Sequence, residues 1–358
     1  MKPAAAMLVA WLALSPLLLS LQPAHSDVPY FGILRGWENK ELGGEALEQI
    51  VGYDIAADDS GIYIAGEYFA SKLPGFGPMV LFLNPDHTFR CQKVLQFKVD
   101  ASRSVPRSGA FSIALNSTHV IVAGVYGEGP GGWHVARLFI AVFNKEDCKL
   151  TGIKELIDSS LLPNEWVNLY PFFVSGVKVV WDQARSSMFV MLQTLETGVS
   201  VPHLYIIQLD TGLSIRNAVR YDLVNGGSDN FYVSDMFDGG SILYVTGAYI
   251  DEYGESHILY GEIHKDDFIA FWYYFPLSFP GYDVSVEGFL PLSRIVLTFD
   301  DVMGWTYVNI AYTMACSGRD CNEDFSVFRL GILRFRLGTR YPRAEVRLYN
   351  FTTTHWNT

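Results

Sequence analysis

Three carboxylates, one lysine and one serine stand at matching positions ahead of a recurring apolar string. The strings are Ile62–Gly66, Val120–Gly124, Met188–Leu192, Leu243–Gly247 and Ile295–Phe299. Eight residues before the first, second, fourth and fifth strings lie Asp54, Ser112, Asp235 and Glu287. Ahead of the third string the turn is two residues longer, and Lys178 takes the position. Carboxylates on neighbouring strands could do two kinds of chemistry. Asp54, Asp235 and Glu287 could supply the acid and the base or nucleophile of glycoside hydrolysis, which lie about 5–10 Å apart. They could also hold a hard cation through oxygen, against the repulsion of the Lys178 ammonium. A third reading is purely structural: Lys178 pairs with Asp54 or Asp235, and buried charge is satisfied. Three carboxylates against one lysine leave this set with a net charge near −2.

A second acidic set lies after the strings: Glu67, Glu128, Glu196, Asp251, Glu252, Asp300 and Asp301. Tyr126, Trp133, His134 and Trp305 lie close to it in sequence. These residues read as loops at the end where the preceding strands begin. They are either solvated turns or a surface for a basic protein, a sugar or Ca²⁺. Ca²⁺ is the one cofactor they suggest, and nothing in the chain requires one. Gly127-Glu128-Gly129-Pro130-Gly131-Gly132 has the G-x-G-x-x-G spacing. The adjoining segment, His134 to Phe143, reads as a strand, so no helix N-terminus meets a pyrophosphate. H-E-x-x-H, G-x-S-x-G and P-loop motifs are absent.

The elements that must position these residues are strands. The string centres Ile64, Val122, Val190, Val245 and Leu297 are separated by 58, 68, 55 and 52 residues. Around each, alternation of apolar and polar residues predicts one strand before the string and two after it. In the first unit these are about 51–57, 61–68, 79–84 and 90–97. An all-strand unit repeating at this period predicts a β-propeller of four-stranded antiparallel blades. Five blades are favoured, with six as the alternative. Residues two apart share a side of a strand, so the register residues should face a central channel. Tyr30 to Leu47 resembles an outer strand pair and would complete the last blade. Phe328 to Asn350 also resembles an outer pair, with Trp305 to Met314 as an extra strand before it. Lys154 to Ser160 is expected as a short helix.

Bulk properties bound the setting. Lys2, the apolar run from Ala4 to Leu21 and Ala24-His25-Ser26 read as a secretory signal peptide over 1–26, leaving a single domain over 27–358. No later apolar run is long enough to span a membrane. The formal net charge of −12 argues against nucleic acid or an anionic membrane as partner. One basic stretch, Arg329, Arg334, Arg336, Arg340, Arg343 and Arg347, reads as an outer strand whose charge discourages edge pairing. Four cysteines in an exported chain suggest disulfides: Cys316 with Cys321 locally, and Cys91 with Cys148 between neighbouring blades. Asn116-Ser117-Thr118 and Asn350-Phe351-Thr352 are glycosylation sequons.

Asp58-Asp59-Ser60-Gly61-Ile62-Tyr63-Ile64-Ala65-Gly66, then Leu73-Pro74-Gly75-Phe76, then Val80 to Asp86, resembles the SBBP-type β-propeller repeat. The third and fifth units depart from it, with Leu192 and Phe299 in place of the strand-ending glycine. The resemblance implies a fold and an exported location and brings no catalytic motif. The expectation is a secreted, monomeric binding or scaffold module for a protein or glycan ligand. Its site would comprise Asp54, Ser112, Lys178, Asp235 and Glu287 with the loop residues Glu67, Glu128, Asp251, Asp300 and Trp133. A polysaccharide hydrolase using Asp54, Asp235 and Glu287 and a structural matrix component are the competing classes.

Overall fold

Short apolar strands broken by Asp, Asn and Gly turns can bury their side chains only by stacking as sheets, and that is what forms. The computed structural model describes residues 49–69, 76–95, 97, 108–127, 136–156, 165–167, 177–196, 202–223, 230–253, 255–276, 293–315, 328–338 and 345–350. The segment 1–26, Tyr30 to Leu47, Glu128, Trp133, His134, Glu287, Cys316 and Cys321 lie outside them.

The described residues form five antiparallel meanders in two compact units, 1–158 and 159–358. The first unit holds two sheets. One is β1 (Gln49–Asp58), β2 (Gly61–Phe69), β3 (Phe76–Leu83) and β4 (Phe89–Val94). The other is β5 (Ser108–Leu115), β6 (His119–Gly127), β7 (Ala136–Asn144) and β8 (Leu150–Leu156). The second unit holds three. A short β9 (Glu165–Val167) pairs with β11 of the third sheet, which is β10 (Val177–Asp182), β11 (Ser187–Glu196), β12 (Pro202–Asp210) and β13 (Ile215–Tyr221). The fourth sheet is β14 (Asn230–Asp238), β15 (Ile242–Ile250), β16 (Ser256–His264) and β17 (Ala270–Pro276). The fifth is β18 (Ser293–Asp300), β19 (Trp305–Ala315), β20 (Phe328–Arg336) and β21 (Glu345–Asn350). Within each unit the first strand of one sheet packs against the next sheet's first strand. Four-stranded meanders stacked through their faces in chain order are β-propeller blades, and the all-β expectation holds.

The apolar strings supply the cores because every second side chain meets the neighbouring sheet. Tyr63, Val80, Phe82, Val122, Phe139 and Phe143 pack between the first and second sheets. Met191, Ile206, Val233 and Val245 do so between the third and fourth, and Tyr260, Ile310 and Phe335 between the fourth and fifth. A Cys91–Cys148 disulfide joins the outer part of the first two sheets, with Cα atoms 6.8 Å apart. It closes a span of 57 residues, which by chain entropy is about 4 kcal/mol of stabilisation.

The strand-ending glycines have a specific cause. In β1, β5 and β14 the ladder shifts by one residue, between Gly52 and Asp54, Ala110 and Ser112, and Val233 and Asp235. Such a bulge pushes the strand toward its partner and re-aims the next side chain. A Cβ on Gly66, Gly124 or Gly247 would fall 2.1, 2.2 or 1.9 Å from a carbonyl oxygen of the bulged strand. The third and fifth sheets carry Leu192 and Tyr312 at the equivalent sites, and there the described ladder is regular.

Two expectations are corrected. Ile295–Phe299 lies in the first strand of the fifth sheet, not the second, and Trp305 to Met314 lies in the second strand rather than an extra one. With no bulge there is no glycine to mark the second strand, so the apolar β18 mimics it. Lys154 to Leu156 end β8 as strand rather than opening a helix, because alternate residues there turn between the sheet and solvent.

Candidate functional site

The bulges place the register residues. In the first unit the Asp54 carboxylate leaves its own sheet. Its Oδ2 accepts the Ile113 N–H of β5 at 3.1 Å, and its Oδ1 accepts the Ile55 N–H at 3.1 Å. Ser112, at the matching position of the second sheet, is fully buried. The bulged residues themselves meet: the rings of Tyr53 and Phe111 are 4.9 Å apart, edge to face.

The second unit repeats this geometry with charge added. Asp235 is 6% exposed. Its Oδ2 accepts the Ile295 N–H of β18 at 3.0 Å, the counterpart of Asp54 with Ile113. Its Oδ1 lies 3.2 Å from Lys178 Nζ on β10 and 3.2 Å from Arg294 Nη1 on β18. One carboxylate therefore ties three first strands together. The expected Lys178–Asp235 pair is present. Arg294, which the repeat alignment missed, holds the fifth sheet's position, opposite Ala311 as Asp235 is opposite Thr246. Glu287 precedes that strand and lies outside the described residues. Lys178, Asp235 and Arg294 sum to +1, so this part of the register is cationic where the alignment made it acidic. Only one of its three residues is a carboxylate, and no acid–base pair of carboxylates forms among them.

A second set of linkages sits at the other end of the strands, in the hairpins. Each first strand ends at or beside a residue whose side-chain Oδ1 caps the turn: Asp58, Asn116, Asp182, Asp238 and Asp300. Lysines from the turns between third and fourth strands reach these caps. Lys145 binds Asp58 of the preceding sheet and the Asn116 carbonyl. Lys265, its ammonium wholly buried, binds Asp182 of the preceding sheet at 2.7 Å and Asp238 at 2.5 Å. Burial alone would raise the Asp58 and Asp182 carboxyls. Hydrogen bonds from Lys145 and Ser60, and from Lys265 and Arg185, outweigh it and hold both below the ordinary 3.8. The sequence signal is Asn-Lys-Glu-Asp at 144–147 and His-Lys-Asp-Asp at 264–267, each followed by a left-handed residue, Cys148 or Phe268.

The acidic loop set divides between the two ends. Asp251 and Glu252 come after β15 and open its connection to β16. Glu67 is part of β2, and Glu196 ends β11. Asp300 and Asp301 lie in the β18–β19 hairpin, at the capped end, because the fifth unit is displaced by one strand. Trp305 opens β19 at that same end, with the Arg336 guanidinium 3.9 Å over its ring. Tyr126 is buried, not a surface contact: Phe97 stacks on it at 4.1 Å and its hydroxyl donates to Glu155 at 2.5 Å. Asp251, Glu255 and His257 place three potential ligand atoms within 4.8 Å of one another. The hydrogen bond from His257 holds the Asp251 carboxyl below its ordinary value. Two carboxylates and an imidazole suit a borderline divalent ion better than Ca²⁺, which takes six to eight oxygens.

No protein-family model matches the chain, and no curated protein matches it. Several solved structures align with it at 10% identity. They include an endo-arabinase from Bacteroides thetaiotaomicron, covering 63% of this chain and 74% of that one at a TM-score of 0.33. A GH32 β-fructofuranosidase from Bombyx mori, in complex with sucrose, covers 84% and 62% at 0.39. The β-propeller domain of the trilobed protease from Pyrococcus furiosus covers 86% and 96% at 0.31. At these scores the likeness brings no substrate or activity with it. The sheets and their linkages define a protein of β-propeller type.

Proposed function

We propose that the chain is an exported, non-catalytic binding module of β-propeller type, akin to the SBBP-repeat proteins. In this reading it acts as a monomer and takes a protein or glycan ligand at the end of the sheets that bears Asp251. One observation carries the choice against a hydrolase. The Asp54 and Asp235 carboxylates are each committed to the backbone of the neighbouring sheet, and Asp235 is further held by two cations. A general acid or nucleophile needs access to substrate and a tunable proton. These groups are spent on joining sheets instead. The disulfide fits an oxidising compartment. At the opposite end the turns are short, capped and tied by lysine, which leaves the connections between second and third strands as the variable surface.

The test is retention of ligands from arrays of glycans and extracellular proteins by the secreted chain. The reading expects a ligand whose binding is weakened at least tenfold by Asp251→Asn with Tyr253→Ala, and is unchanged by Asp301→Asn at the other end. Tyr253 is 82% exposed, so its loss leaves the fold intact. Hydrolysis of any glycan by the parent chain, abolished by Asp235→Asn with folding kept, overturns it.

A further inference from the structure

We propose that Asn116 carries an N-linked glycan, set on the capped end of the second sheet; this rests on the export reading above. The five hairpins serve as internal controls. Four of the five caps are aspartates, Asp58, Asp182, Asp238 and Asp300, and only the second sheet uses asparagine. Turn formation does not explain the exchange. Asn116 Oδ1 accepts the Thr118 and His119 N–H groups at 2.9 and 2.7 Å, and Asp300 Oδ1 accepts the Val302 and Met303 N–H groups at 3.0 Å each. Pairing with the lysine speaks against it. Lys265 reaches its own sheet's cap through the Asp238 carboxylate, whereas Lys145 finds only the main-chain carbonyl of Asn116. An aspartate at 116 would make the same turn and add an ion pair. What asparagine has and aspartate lacks is Nδ2, and that atom makes no hydrogen bond among the described residues.

The same asparagine opens Asn116-Ser117-Thr118, the acceptor triplet for oligosaccharide transfer. Ser117 and Thr118 are exposed. The reaction joins Nδ2 to C1 of the first sugar and breaks the bond from that carbon to the diphosphate of a lipid-linked oligosaccharide. Nδ2 gives up one proton to a base on the transferring enzyme, and the lipid diphosphate leaves with the electron pair. Both cap bonds use Oδ1, so the turn survives attachment and the glycan projects from the β5–β6 hairpin. Asn350 ends β21 and has no such internal comparison.

The full chain, made in a secreting eukaryotic cell, should lose one glycan's mass on peptide N-glycosidase treatment, leaving aspartate at 116. Asn116→Asp, which the sibling turns show to be compatible with the cap, and Thr118→Ala should each be secreted without that mass. Thr118→Ser should keep it. A secreted parent chain with unmodified Asn116 overturns the proposal. A chain that stays in the cytosol overturns the export reading. Placed behind a proven secretory leader, that chain still decides the site: modification at Asn116 supports it, and an unmodified residue overturns it.

Discussion

At the scale of single residues, the polar groups are joints between sheets. Asp235 is buried with Lys178 and Arg294, so Asp235→Asn would leave two cations facing a neutral amide. Breaking one partner of a buried ion set costs about 3–5 kcal/mol. Chemical denaturation should show a loss of that order in the second unit, and an unchanged midpoint would refute the linkage. Lys265 makes a similar case with a pH signature. Asp58 and Asp182 have lower carboxyl pKa values folded than unfolded. Their stabilisation is therefore present above the ordinary value of 3.8 and fades as pH falls through the folded values. Lys265→Met should destabilise at pH 7 and flatten the acid side of the stability curve, read as midpoint against pH between about 2 and 6. A curve of unchanged shape would show that the Asp182 carboxyl owes nothing to the lysine.

At the scale of elements, bulge and glycine are one device. Gly247→Ala would drive a Cβ into the Tyr232 carbonyl, so the bulge must flatten and Asp235 must swing away from Ile295. A loss of about 2–4 kcal/mol is expected, as for other substitutions that force backbone strain on a packed site. Leu192→Ala, in the regular ladder of the third sheet, should cost about 2–5 kcal/mol through an ordinary cavity and leave the Lys178 contact unaltered. Amide-exchange protection at Ile295 separates the two, falling in the first variant and holding in the second. This pairing also explains what was legible. Three units are legible because a bulge demands a glycine, and spacing alone aligns Asp54, Ser112 and Asp235, which share one ladder position after the bulge. The third was placed by its turn length. The fifth carries no bulge, and its first strand, Ser293–Asp300, is as apolar as a second strand. Alignment on apolar strings slipped there by one strand, which put Glu287 where Arg294 belongs and Asp300 at the wrong end.

At the scale of the whole molecule, the repeat and the strand order of the first four sheets are readable from the chain, and Cys91 with Cys148 is readable as a candidate pair that the structure bridges. The lysine latches were not, because Lys145 and Lys265 pair with residues 87 and 83 positions away, beyond any local pattern. Reduction with a phosphine should lower the stability of the first unit by about 4 kcal/mol and leave the second unit's transition in place. Amide exchange tracked unit by unit measures this, and an equal loss in both units would contradict the placement of the bridge.

The carboxylate of one first strand and the N–H it reaches on the next come from the same register in both units. The plug thus sits on one sheet and its socket on the next, Asp54 with Ile113 and Asp235 with Ile295, each pair encoded in two successive stretches of chain. Tandem duplication of such a pair of sheets would add a matched plug and socket together. Lineages of this architecture could then gain or lose whole modules without redesigning any joint, while a half-module insertion would leave a buried carboxylate with nothing to grip.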